Sequence, residues 1–100
     1  MMTLEPVAAV FRKYPDGDII ALFPAEAATY DGVHCVSYAH IGQHCAADYS
    51  GVIAATKPAK PHEYRELRAE LEQVGYIVRA VRRATYKHHE LRRQAAKEQR

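Results

Sequence analysis

Two short apolar runs rich in strand-favouring residues, VAAVFRKY (7–14) and DIIALF (18–23), flank Pro15-Asp16-Gly17. Proline presets φ at the first turn position and Gly17 tolerates a positive φ, so the pattern predicts a hairpin. Pro24 is expected to end the second strand by removing a ladder donor. After a turn at Asp31-Gly32, VHCVSYAH alternates, with Val33, Cys35 and Ser37 on one face and His34, Val36 and Tyr38 on the other. An antiparallel meander of three strands is expected.

Beyond it the rhythm turns helical. Asp48 is placed to cap a short helix over roughly residues 49–56 by accepting amide hydrogen bonds. Lys57-Pro58-Ala59-Lys60-Pro61 reads as a stiff connector, with Pro61 suited to a first helical turn. In HEYRELRAELEQVG, Tyr64, Leu67, Leu71 and Val74 recur at helical spacing, Glu66, Arg68, Glu70 and Glu72 face water, and Gly75 stands where a left-handed cap would end the helix. YIVRAVRRA (76–84) returns to period two, with Tyr76, Val78 and Ala80 on one face and Ile77, Arg79, Val81 and Arg83 on the other. The order implies an α+β fold: three meander strands plus a fourth, packed as a two-layer sandwich against one main helix, the other sheet face open or paired with a partner. Residues 1–86 make the expected domain. Residues 87–100 form a basic tail, helical or disordered, with Leu91 and Ala95 as its apolar line.

The length of 100 residues suits one domain with one core, too small for a catalytic domain plus a cofactor domain. No apolar run approaches the roughly 20 residues needed to span a bilayer, and MMTLEPVAAVFRK lacks a secretory pattern, so a cytosolic protein is expected. There the two cysteines, Cys35 and Cys45, should stay free thiols. The net charge of +2 hides an asymmetry. Residues 1–74 carry six Lys or Arg against ten Asp or Glu, and residues 75–100 carry eight against two, so charge runs from −4 to +6 along the chain. Such an end suits an anionic partner.

FRKYPDGDIIALFP, SYAHIGQHCAADYS and TKPAKPHEYRELRAELEQVGY, in that order, resemble a group of small proteins encoded by bacteriophages and prophages of Gram-negative bacteria, over about residues 8–86. The resemblance implies a phage context and no established activity. It also implies glycine where Cys45 stands, which argues against a shared role for that thiol. Short phage accessory proteins often bind and block a host protein or nucleic acid, so the resemblance implies binding over catalysis.

HCVSYAHIGQHC (34–45) holds both cysteines and three histidines. As zinc ligands, Cys35, His40, His44 and Cys45 lack the two separated close pairs of a structural site, and adjacent His44 and Cys45 would share an ion only in a contorted loop. A thiol enzyme would need Cys45, a base from His40 or His44 and Asp48 as orienter, with no recognisable signature around them. The stretch is read instead as a strand end: Cys35 buried, His40, Gln43 and His44 serving backbone groups, and Gly42 permitting the turn. His40, Gln43, His44 and Tyr49 remain candidates for a polar recognition surface. The strongest functional signal is the basic set Arg79, Arg82, Arg83, Lys87, His88, His89, Arg92 and Arg93, which can follow phosphates although no helix-turn-helix or zinc-finger pattern is present.

The expectation is therefore a non-enzymatic accessory protein with no cofactor and no metal. It binds, and by binding can inhibit, a host protein or complex such as a defence component. The alternative is nucleic-acid binding through the basic end, and a thiol or metal enzyme comes third. A second copy, met through an exposed strand, is a further candidate partner, and a membrane is not.

Overall fold

A computed structural model describes residues 5–39 and 43–98. The chain forms β1 (Val7–Lys13), β2 (Ile19–Ala27), β3 (His34–Ala39), β4 (Gln43–Asp48), α1 (Tyr49–Ala55), β5 (Lys57–Pro58), α2 (Pro61–Val74), β6 (Val78–Val81) and α3 (Tyr86–Glu98). The strands make one sheet in the order β4-β3-β2-β1-β5, with β6 also on β1.

The α+β class and antiparallel meander are as expected, and the first turn has the anticipated chemistry. Gly17 takes φ 98°, the Tyr14 and Asp18 backbones close the loop at 2.9 Å, and Asp16 accepts the Asp18 N–H at 3.0 Å. Pro24 does not end β2. The register shifts between Phe23, opposite Val36, and Ala27, opposite Cys35, and Pro24 lies in that irregularity, where its missing N–H breaks no ladder bond. Two further strands exceed the expectation. β4 continues the meander by pairing with β3 from His34↔Asp48 to Ala39↔Gln43, and β5 adds two residues beside Arg12 and Lys13. β6 runs parallel to β1, from Val7↔Val78 to Val10↔Val81. One side of β1 is thus shared between an antiparallel and a parallel neighbour.

Helices cover both sheet faces, which corrects the two-layer expectation. On one face α2 supplies Leu67 and Leu71 to a cluster with Ala9, Phe11, Ala21, Phe23, Tyr38 and Val78, and Tyr64 stacks on Phe11 with ring centroids 4.1 Å apart. The stripe stops at Leu71, because Val74 is 54% exposed. Gly75 caps α2 with φ 119°. On the other face Val10, Ile20, Leu22, Cys35 and Ala47 are buried against Tyr49, Val52 and Ile53 of α1 and Val81. With both faces covered, β1 is buried from Ala8 to Arg12.

Asp48 is the residue before α1, but its side chain makes no capping bond. The other end of α1 is held instead. Arg12, buried, donates from Nε to Thr56 Oγ1 at 2.9 Å and from Nη2 to the Thr56 and Ile53 carbonyls at 2.7 and 3.1 Å. α3 is an ordered helix packed on β2. Its buried face is Arg92 and Ala96, and not the expected Leu91–Ala95 line, since Leu91 is 42% exposed. Gly32 at φ 73° lets α3 approach: a Cβ there would meet the Arg93 Cα at 3.1 Å and the Ala96 Cβ at 3.3 Å. No helix among the described residues is long and apolar enough to cross a membrane.

Candidate functional site

The stretch that gathers the cysteines and histidines is a hairpin, β3 returning as β4. Successive residues of a strand point to opposite faces, so His44 and Cys45 cannot converge on one ion or one substrate. His44 stands opposite Tyr38 on the α2 face, and Cys45 opposite Ser37 on the other. Cys35, 0% exposed, and Cys45, exposed, are unbridged. Burial pushes the Cys35 thiol up against the opposing pull of Arg92, so this is an inert thiol. His40 lies outside the described residues, as does the side chain of Gln43. Among the described residues no group of three His, Cys, Asp or Glu can hold a metal ion.

On the α2 face the His44 ring meets the Tyr38 ring edge-on at 4.7 Å, and Nε2 lies 3.0 Å from the Tyr76 hydroxyl. Tyr76 stacks on Phe23 at 5.2 Å, and Tyr38 donates its hydroxyl to Glu70 at 2.5 Å. Glu26 completes the cluster. Burial raises its carboxyl pKa against the pull of His44, while burial and then Glu26 raise that of Tyr76. An open cleft of about 350 Å³, lined by Glu5, Val7, Glu26, Val74, Tyr76 and Ile77, adjoins the cluster. Cys45 points to the opposite face of the sheet, so the polar groups gathered here are His44, Tyr38, Tyr76, Glu26 and Glu70. Sequence reasoning missed Glu26 and Tyr76 as partners because one lies in the irregular end of β2 and the other just past the α2 cap, 50 residues apart in the chain.

The cations part company. Arg79 on β6, Arg82 and Arg83 after it, and Lys87 and Arg93 on α3 are exposed, and none has an ion-pair partner among the described residues. Burial lowers the pKa of His88 and of His89, and the neighbouring cations add to it: Arg79 for His88, and Arg92, Arg93 and then His88 for His89. Arg92 does not belong to it. At 6% exposure it donates Nε to the Gly32 carbonyl at 2.8 Å and Nη1 to the Pro24 carbonyl at 2.7 Å. Tyr49 is also structural: its hydroxyl accepts the Ala84 N–H at 2.7 Å and its ring meets His89 edge-on at 5.2 Å. Beside the cations, where β1 passes from β6 to β5, a notch of about 190 Å³ is lined by Phe11, Pro58, Pro61, Tyr64, Val81 and Arg82.

Compared with protein-family models, curated proteins and solved structures, the chain matches none of them.

Proposed function

We propose that this chain acts without catalysis, as a phage or prophage accessory protein that binds a host protein or complex and inhibits it, a component of host defence being the kind of target meant. One observation carries the reading: Arg79, Arg82, Arg83, Lys87 and Arg93 lie exposed on β6, on the residues that follow it and on α3, without ion-pair partners among the described residues. Unneutralised cations of this kind speed encounter with an acidic surface and select against basic ones. The Phe11–Tyr64 notch beside Arg82 offers an apolar anchor of the sort that holds a partner once charge has brought it close.

The test is affinity capture from Gram-negative lysate with and without nuclease treatment, with the Arg82→Glu/Arg83→Glu variant as control. The reading expects a stoichiometric protein that the variant loses. Recovery of nucleic acid alone, or a partner retained equally by the variant, overturns it.

The same cations favour nucleic-acid binding as the second reading. Each phosphate neutralised on duplex DNA adds about 0.9 to the salt slope, so alanine at Arg79, Arg82, Arg83 and Arg93 should then weaken binding to all sequences alike and flatten that slope.

A further inference from the structure

The two edges of the sheet are built differently, β4 forming one while β5 and β6 share the other. β6 is four residues long, exposes Arg79 and leads into Arg82 and Arg83, features that discourage another strand from pairing there. β4 is six residues, QHCAAD, without lysine, arginine or proline, and its register with β3 is unbroken. Only β3 pairs with it among the described residues, and His44, Cys45, Ala46 and Asp48 are all exposed. A flat, small-residue edge of this length is a template for another strand.

Which backbone groups it offers follows from the ladder. In an antiparallel sheet a residue's N–H and C=O point together to one neighbour, and the direction alternates along the strand. Tyr14 bonds Asp18 at 2.9 Å, which turns Ile20 and Leu22 toward β1, and Ala59 takes the outward Phe11 carbonyl at 3.0 Å. Alternation then sends Ala21 and Phe23 toward Tyr38 and Val36, their partners on β3. Ala28 taking the His34 carbonyl at 3.0 Å keeps the same phase. Cys35, Ser37 and Ala39 therefore face β4 and bond Ala47, Cys45 and Gln43, their register partners. His44, Ala46 and Asp48 are left pointing outward.

We propose that this edge pairs antiparallel with the β4 edge of a second copy, the two-fold axis passing between the two Ala46 residues. Only outward-facing residues can form the bonded pairs, and Ala46 is central among them. Each Ala46 N–H then donates to the other Ala46 carbonyl, and each Asp48 N–H to the other copy's His44 carbonyl. The register sets His44 opposite Asp48 of the second copy, twice, with no like charges facing. Both groups suit this arrangement. Asp48 has no capping bond, and His44, with Nε2 at Tyr76, keeps Nδ1 for the carboxylate. An open concavity of about 420 Å³ beside β4, lined by Tyr14, Ile20, Ser37, Ala39, Cys45 and Val52, gives the second copy apolar surface to cover as well as backbone. The contact is isologous and closes as a dimer.

The register makes the test specific. Directly opposed, hydrogen-bonded residues have Cα atoms about 5.5 Å apart, inside the disulfide range, whereas the two Cys45 residues lie on a diagonal of about 7–8 Å. Under mild oxidation Ala46→Cys in a Cys45→Ser background should give a covalent dimer within minutes, and the unaltered chain should not. In light scattering and sedimentation the unaltered chain should be a dimer at micromolar concentration. Ala46→Pro removes a donor that the single chain does not use, so it should keep the native circular dichroism and weaken the dimer at least tenfold. Ala46→Lys, which sets like charges face to face, checks the same point should proline disturb β4. A monomer at every concentration, a dimer indifferent to both Ala46 variants, or cross-linking by native Cys45 as fast as by Ala46→Cys overturns the proposal.

Discussion

Arg92 Nη1 donates to the Pro24 carbonyl at 2.7 Å across 68 residues of chain, inside the contact between α3 and β2. Pro24 breaks the register of β2, and the carbonyl freed there is satisfied by a guanidinium whose Nε also serves Gly32. Arg92→Ala should leave both buried carbonyls without a donor, costing about 2–4 kcal/mol. Arg93→Ala should change stability by less than about 0.5 kcal/mol and act on partner binding instead. Urea titrations of the two variants check this, and equal losses would contradict the separation of roles.

Gly32→Ala should destabilise by about 1–3 kcal/mol. A Cβ at φ 73° is strained, and it would press on the backbone of α3 at Arg93. Thermal melts measure the loss, and a variant as stable as the parent would show that α3 can retreat at no cost.

The thiols should react at very different rates. Cys45 is exposed in the single chain and should be alkylated without unfolding, more slowly where a second copy covers it, whereas Cys35, buried and with its thiol pKa raised, should react only on unfolding. Mass spectrometry after brief iodoacetamide treatment should find one adduct natively and two in denaturant. Cys35→Ser should cost about 1–3 kcal/mol, since a hydroxyl would enter the core.

Glu63 joins α2 to the sheet, ion-paired with Lys13 and accepting the Lys60 N–H at 2.9 Å. Hydrogen bonding from Lys13 and then from the Lys60 backbone holds its carboxyl at about 2, below the ordinary 4.5. A depressed folded-state pKa gives stability that is present above the unfolded value and is lost as pH falls toward the folded one. Urea midpoints should therefore decline between about pH 4.5 and pH 2, and Glu63→Gln should flatten that decline. An unchanged profile in the variant would refute the linkage.

α2 is legible because every local signal agrees: Pro61 at the start, Tyr64, Leu67 and Leu71 at helical spacing, and Gly75 at the end. β4 is not, because QHCAAD holds no β-branched or aromatic residue, and it extends only by pairing with β3. The unbroken apolar runs VAAVF and IIALF are the mark of strands covered on both faces, whereas the alternation in β3 suggests one open face although Tyr38 is buried on the α2 side and Cys35 on the other. Composition is enough to find the exposed cations, but Arg92 and Arg93 differ by a single helical step, so only packing tells the buried one from the free one. Glu26 and Tyr76 are brought together by a strand irregularity and a helix cap far apart in the chain.

The divided side of β1 bears on how the protein is born. β1 leaves the ribosome before any of its outer neighbours, and the β6 segment that pairs with Val7–Val10 follows only after the meander, α1 and α2 have been made. During that interval one flank of the central strand is bare, and its residues are among the most apolar of the chain. Until residues 78–81 arrive, the outward backbone groups of Val7–Val10 have no strand to bond, so the central strand of the sheet is completed only by one of the last segments made.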